Sequence, residues 1–490
     1  ARASTGTIVN ADGLIEQVPY NLVTYSEQFD NAGWSKTGVT VTANSITSPS
    51  GNMNADTLAF GASGNEIVQS VSGLTVGQDY TLSIYLKVAS GTTTMSFGNI
   101  SYATTSITVT SEWQRFTVTQ SAVSATRYPK LVCTESVNVY AYGAQLNSGS
   151  TAKTYYPTTT RLNVPRVDYL NNANGSLLLE PQRTNSITNS EEFGSTGWSG
   201  FTTGTAISTI VTDNYAISPD GTQNAQRVQF NLDGGTTSSD RAVIRQGLAS
   251  QTDWFLSVWM KSTNGTDQNI LWHTGGDGNQ TTVTGEWQRY TLSQNSITNG
   301  WAGLALRGGV SSVDTADILV YGFQAEQGSY PTSYIPTSGT TVTRLADSCS
   351  QTGLSDVIGQ TEGTLFVDVD FTNRNELGVM IELSNGASNR VLIYYSSSAI
   401  ICYANAAVFS YTQSTNEQLK IAFAYKSGDS TLYVNGVQKA VSSAALTYTG
   451  LSKLNVGSNF ANLQPVANTT RQAQLYKTRL TNAELATLTT

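Results

Sequence analysis

Histidine is almost missing from this 490-residue chain, with His273 standing alone. That leaves almost no room for a His-dependent catalytic triad or a multi-His metal site. Cysteine is nearly as scarce. Cys133, Cys349 and Cys402 lie far apart, odd in number and without a CxxC pair, so neither a disulfide framework nor a zinc pattern is present. Charged residues make up 12% of the chain, about half the ~25% usual in globular proteins. There is no basic run, which argues against nucleic acid as a partner. No segment approaches the roughly 18 consecutive apolar residues of a membrane-spanning helix, and no signal-peptide pattern opens the chain.

Ser, Thr, Asn and 43 glycines fill the polar positions instead. That composition favours strands and turns over helices. The net charge is −8. A weakly charged surface rich in hydroxyls and amides suits contact with neutral polar material such as glycans. It suits equally well a coat that only needs to stay soluble. The length allows about three domains at roughly 150 residues each.

The sequence repeats itself. Glu-Trp-Gln-Arg occurs at 112–115 and again at 286–289. Five further phrases match in the same order: 21–35 with 185–199, 48–60 with 218–230, 80–87 with 254–261, 139–150 with 319–329, and 154–162 with 333–345. Six collinear matches predict two copies of one domain. Each copy reads as β: "YTLSIYLKV" alternates Leu82, Ile84 and Leu86 against Thr81, Ser83 and Tyr85, the period of a strand with one buried face. Short strands separated by turn-rich gaps imply antiparallel sandwiches.

Residues beyond 345 differ. "GTLFVDVDF", "NRVLIYYSS" and "LKIAFAYKSGDSTLYVNGVQKA" read as strands, with Gly428-Asp429 and Asn435-Gly436 as hairpin turns. One helix is expected near the end, capped by Thr481 with Glu484 completing a capping box.

Both copies resemble carbohydrate-binding-module jelly rolls of the family 4/9 type, on "NLVTYSEQFDNAGWSK", "YTLSIYLK", "EWQRFTV" and "VYGFQAEQGSYPTSYIPT". The C-terminal part resembles concanavalin-like or laminin-G-like sandwiches, on "TEGTLFVDVDF", "KIAFAYKSGDSTLYVNG" and "AQLYKTRLTNAELATLT". The expected architecture is all-β: two tandem antiparallel β-sandwich (jelly-roll) domains plus a C-terminal concanavalin-like β-sandwich. Its parts are an N-terminal connector (1–20), jelly roll one (21–162), a linker (163–184), jelly roll two (185–345) and the C-terminal domain (346–490).

The phrases "RASTGTIVNADGLIEQVPYN" at 2–21 and "NVPRVDYLNNANGSLLLEPQRTN" at 163–185 resemble two halves of a connector found in bacteriophage virion proteins. The first jelly roll reads as an insert between them. The start on Ala1-Arg2-Ala3 suggests a processed or truncated chain lacking an anchor. The resemblance implies a non-enzymatic fibre or spike on a virion surface (tail or capsid), extracellular in use. It implies host-surface polysaccharide and other virion proteins as partners, and a homo-oligomer, with a trimer favoured. The alternatives are a purely structural decoration protein and a polysaccharide-degrading tailspike-like enzyme.

Candidate glycan contacts are aromatic residues in polar, Gly-rich surroundings: Trp272 with His273, and Trp301, in the second copy, and Phe97 and Tyr102 in the first. Partial burial of these rings is the competing reading. Trp113 and Trp287 are expected as sandwich-core or corner residues covered by Arg115 and Arg289, with sugar stacking as the alternative. Lys87 and Lys261 are expected to reach solvent with packed stems. Asp368 and Asp370 share a strand face, but a retaining glycosidase of that class shows three alternating acids where this strand has two. They are expected as solvent-facing carboxylates, with no catalytic residue assigned. Structural Ca²⁺ is a further implication of the jelly-roll resemblance, with Glu27, Glu191 and Glu192 as candidate ligands.

Overall fold

The computed structural model describes residues 6–490 apart from 19, 62–63, 73, 75, 78, 99–103, 134, 160–164, 250–251, 275–277, 298–299, 372–376, 388, 397, 414–416 and 462–467. It is all-β. Among the described residues the single helix is Asn482–Leu488, where Thr481 and Glu484 form the expected capping box. The chain divides into two compact units. One holds residues 18–164; the other holds residues 6–17 together with 165–490.

The first unit is a pair of five-stranded antiparallel sheets. One runs in the order Gln114–Ser121, Asp79–Val88, Val137–Ser148, Ala55–Phe60, Val39–Ile46. The other runs Thr105–Thr110, Thr92–Gly98, Lys130–Cys133, Asn65–Val68, Ser35–Thr37. Alternation places Leu82, Ile84, Leu86 and Val88 in the core between them, beside Phe29, Trp34 and Phe97. Each such side chain contributes about 1.5–3 kcal/mol by leaving water.

The second unit contains the second jelly roll, whose two five-stranded sheets repeat those of the first. Its sheets run Gln288–Ser296, Thr252–Ser262, Thr315–Gln327, Ala225–Asn231, Ile207–Ala216, and Asn279–Val283, Gln268–His273, Trp301–Arg307, Arg241–Gly247, Ser199–Thr203. Both copies carry a bulge after a tyrosine, Tyr142 and Tyr321, at Gly143 and Gly322 with φ of +65°. A Cβ at Gly143 would lie 3.2 Å from the Tyr155 ring, and one at Gly322 equally close to Tyr334. Glycine is needed there for both its backbone conformation and its lack of a side chain.

The same unit holds a sandwich of a seven-stranded and a six-stranded sheet. Its hairpins turn where expected, with Asn435 (φ +47°) and Gly436 (φ +77°) giving a tight turn.

The stretch expected as a linker is instead built into this sandwich. Ser176–Leu179 pairs with Asn468–Tyr476 on one side and with Val167–Asp168 on the other. Its Ser-Leu-Leu-Leu run buries Leu179, which packs against Gly457. The N-terminal segment belongs here too. Thr7–Val9 and Ile15–Gln17 form an antiparallel hairpin whose turn is held by Asn10, with its side chain accepting from the Asp12 and Leu14 amides. The Tyr169 amide donates to the Val9 carbonyl, and the Val9 amide donates to Asp168. The two connector halves thus meet again although 18–164 lies between them in the chain.

Candidate functional site

The recurring Glu-Trp-Gln-Arg makes the same bonds in both copies. The indole N–H of Trp113 donates to the Thr47 carbonyl at 3.2 Å, and that of Trp287 to the Ile217 carbonyl at 3.1 Å. Arg115 donates to Ser83 Oγ (2.9 Å) and the Lys153 carbonyl (2.8 Å); Arg289 repeats this with Ser257 and the Thr332 carbonyl. The arginines tie the segment after the long strand across the sheet.

Of the expected places, core or corner, the core is corrected, and so is the cover by the arginines; each tryptophan stands directly before its strand. Both are half-buried on the outer face of their sheet. Arg115 covers Tyr85 at 5.5 Å and Arg289 covers Trp259 at 4.6 Å. Parity explains it: Phe116 and Val118 point to the core, so Trp113 and Arg115 point away.

Strand register then builds a two-row lattice on that outer face of the first jelly roll. Arg115, Tyr85 and Tyr142 face one another across three strands. Two residues along, Lys87 pairs with Tyr140 and Trp113 follows on the other side. Lys87 Nζ lies 5.5 Å from the Trp113 ring and 5.8 Å from Tyr140. Tyr85 and Tyr142 are 6.0 Å apart, and Tyr142 meets Tyr155 edge-on at 5.4 Å. Burial pushes the Tyr155 phenol well up, so it stays a donor, bonding to Glu27 at 3.0 Å. Trp113, Lys87, Tyr140 and Tyr85 are all partly exposed. A row of aromatic faces flanked by cations can stack the C–H faces of sugars and bind their oxygens.

The second copy has the same lattice with Trp287, Lys261 and Leu319 in one row and Arg289, Trp259 and Tyr321 in the other. Here it is covered. Ile15 of the N-terminal hairpin packs on Tyr321, Tyr334, Trp259 and Trp287, and only 8% of it is exposed. The Ile15 amide donates to the Pro219 carbonyl at 2.9 Å.

Of the residues expected to touch glycan, Trp272, His273 and Phe97 fall in the interior. Trp272 and Phe97 are each 1% exposed and belong to the cores. His273, at 3%, is buried beside Trp272. All three lie in strands of the other sheet, Gln268–His273 and Thr92–Gly98. Their Gly-rich neighbours mimic a loop, but the strand carries them inward, and the Trp272 N–H donates to Thr281 Oγ1 at 2.8 Å. Tyr102 lies outside the described residues. Trp301 is half-buried, with the Arg245 guanidinium over its ring at 4.0 Å.

Among the described residues, no three His, Cys, Asp or Glu side chains gather as a metal would require. Glu27 accepts from Tyr155 and Asn54. Glu191 accepts from Tyr334 and Tyr321. Glu192 is exposed. Glu27 and Glu191 serve as anchors for tyrosines, and the set does not fit a calcium cage.

Asp368 and Asp370 are also corrected. Asp368 is 5% exposed and accepts from Gln418 at 2.8 Å; Asp370 pairs with Arg471 at 2.9 Å. Asp368 is buried and bonded rather than solvent-facing, and Asp370 is half-buried in its ion pair.

In the C-terminal sandwich a cleft of about 460 Å³ is lined by Gln360, Asn389, Asn405, Thr447 and Tyr448, among others. Asn405 spends its amide on Asn389 and the Thr447 carbonyl, and its carbonyl on the Arg390 amide.

Neither protein-family models nor curated proteins give a match to this chain. Solved structures do. The tandem CBM22-1–CBM22-2 domain of Paenibacillus barcinonensis Xyn10C aligns at 14% identity over 67% of this chain and 100% of its own, with a TM-score of 0.22. The CBM40 of Ruminococcus gnavus IT-sialidase, bound to α2,3 sialyllactose, aligns at 16% identity over 27% of this chain and 84% of its own, with a TM-score of 0.24. Mouse laminin α1 domains LG4-5 align at 10% identity over 49% and 86%, with a TM-score of 0.21.

Proposed function

We propose that this chain is a non-enzymatic glycan-binding protein of a phage virion surface, acting outside the cell as a homo-oligomeric fibre or spike. The outer face of the first jelly roll is the contact surface. One observation carries the binding reading: Trp113, Lys87, Tyr140 and Tyr85 form a partly exposed aromatic platform in the first copy, while Ile15 packs over part of its counterpart in the second. Partly exposed rings on a sheet face can meet a sugar, as the buried Trp272 and Phe97 cannot. The virion reading is supported by the connector phrases at 2–21 and 163–185.

The binding reading is tested by a glycan array and host-cell adsorption with the full chain, native and Trp113→Ala/Tyr140→Ala. The native protein should bind and the variant lose at least about tenfold in affinity, as expected for lost stacking of about 1.4 kcal/mol. Equal binding by both would move the site elsewhere; no binding by the native protein would remove the glycan role. Labelled protein on imaged virions tests its place, and light scattering its oligomeric state.

A further inference from the structure

We infer that the open face of the first jelly roll selects acidic saccharides, with Lys87 as the cation that meets the sugar carboxylate. The inference rests on the platform reading above and adds the class of ligand.

The two copies share a scaffold, so their differences in charge are informative. In the second copy the lattice cations have acids near them. Lys261 Nζ lies 3.8 Å from Glu286. Arg289 feels the field of Glu326, and Tyr321 bonds to Asp220 at 3.2 Å. Asp317 pairs with Arg227 on the neighbouring strand. In the first copy the positions of Asp220, Asp317 and Glu326 are held by Ser50, Asn138 and Asn147, all neutral. Lys87 and Arg115 remain. Glu112, at the position of Glu286, is exposed and makes no ion pair with Lys87 among the described residues. Glu27 is committed to Tyr155 and Asn54.

Lys87 is therefore a half-buried ammonium flanked by the Trp113 and Tyr140 rings, with no carboxylate or other acceptor bonded to it among the described residues. The ring faces favour the cation and restrain its stem. They cannot accept its three hydrogen bonds as an oxygen anion would. A pyranose stacked on Trp113 or Tyr85 brings its substituents to the level of Nζ. A carboxylate there gains a charge-assisted bond that a neutral hydroxymethyl group does not. Ser50, Asn138 and Asn147 add no like charge to repel it. The whole chain is negative, at −8, so the selectivity is local and contact-driven rather than a long-range attraction.

The experiment measures binding of the full chain to polygalacturonate and to the same polymer after carboxyl reduction, and to a sialylated oligosaccharide and its desialylated form. The two pairs separate a uronate source from a sialate source. Each acidic form that fits should bind about tenfold or more tighter than its neutral partner, the size expected for one charged hydrogen bond. The preference should shrink as salt rises. Lys87→Met keeps the packed stem and should level acidic and neutral binding; Lys87→Arg should keep the preference; Lys261→Met should change nothing. Equal native binding to acidic and neutral forms, or a preference that survives Lys87→Met, overturns the inference while leaving the platform intact. Failure of all four ligands to bind overturns the platform and the inference together.

Discussion

The Arg166 guanidinium donates to the Glu180 carboxylate at 2.7 Å, with the arginine side chain fully buried and the glutamate side chain 7% exposed. Arg344 meets the same carboxylate at 3.0 Å, Asp347 meets Arg166, and Ser333 donates to Glu180 from both its amide and its hydroxyl at 2.7 Å. Arg166 also donates to the Thr7 carbonyl at 3.2 Å. One buried charge network thus ties the N-terminal hairpin, the former linker, the second jelly roll and the entry to the C-terminal sandwich. Gly6 sits where a Cβ would lie 3.3 Å from both Arg166 and Arg344.

That network should make stability depend on acid. Burial alone would raise the Glu180 pKa, but Arg344, Arg166 and Ser333 outweigh it and hold the carboxyl at about 2, below its ordinary 4.5. A depressed carboxyl stabilises the fold fully above the ordinary value, and the contribution fades as pH falls from there through about 2. The size is about 3 kcal/mol. Glu180→Gln should remove that acid dependence and cost about 3–5 kcal/mol at neutral pH, since it takes away the carboxylate that two buried guanidinium groups share. Urea unfolding midpoints of native and variant protein between pH 2 and 7 check this. A variant as stable as the native chain at pH 7 would dismiss the network as a stabiliser.

The duplicated scaffold was legible because packing repeats residue types at fixed places. Trp113 and Trp287 both bond to the residue that follows an edge strand, Thr47 after Val39–Ile46 and Ile217 after Ile207–Ala216, and Ser26 and Ser190 both bond to a tyrosine, Tyr155 and Tyr334. The outward residues Tyr85 and Lys87 were legible as one half of a period-2 strand. Their meeting with Trp113, Tyr140 and Tyr142 was not, because register between strands dozens of residues apart is set by long-range pairing. Trp272 misled because glycines on its C-terminal side suggested a loop, while "NILWH" continues the strand inward. Nothing local in 6–17 says which face its hairpin will cover. Ile15 finds the second copy because both connector halves return to one unit.

Ile15 gives a direct test of that cover. Ile15→Ala removes the side chain packed on Trp259, Trp287, Tyr321 and Tyr334. It should weaken docking of the hairpin by about 2 kcal/mol, the low end for a buried large-to-small change. Trp259 and Trp287 would then meet water more often. Their emission should shift to the red, and limited proteolysis should cut within 6–17 sooner than in the native protein. Unchanged emission and unchanged cleavage would mean the hairpin is held by its other contacts, such as Thr7 to the Tyr334 carbonyl and Ile15 to Pro219.

Trp272 and Trp301 separate core from surface on neighbouring strands of one sheet. Trp272 is 1% exposed, packs edge-on against Phe323 at 6.0 Å and spends its N–H on Thr281. Trp301 is half-buried and opens its strand under Arg245. Trp272→Ala leaves a large void that the surrounding Ile270, Leu304 and Phe323 cannot close, and should cost about 3–5 kcal/mol. Trp301→Ala loses partial burial and a cation–π contact of about 0.5–1 kcal/mol, so its total should stay near 1–2 kcal/mol. Unfolding midpoints measured side by side will rank them. Comparable costs would mean that Trp301 is packed as tightly as a core residue. Because neither ring belongs to the open platform, both variants should retain native glycan affinity wherever they stay folded.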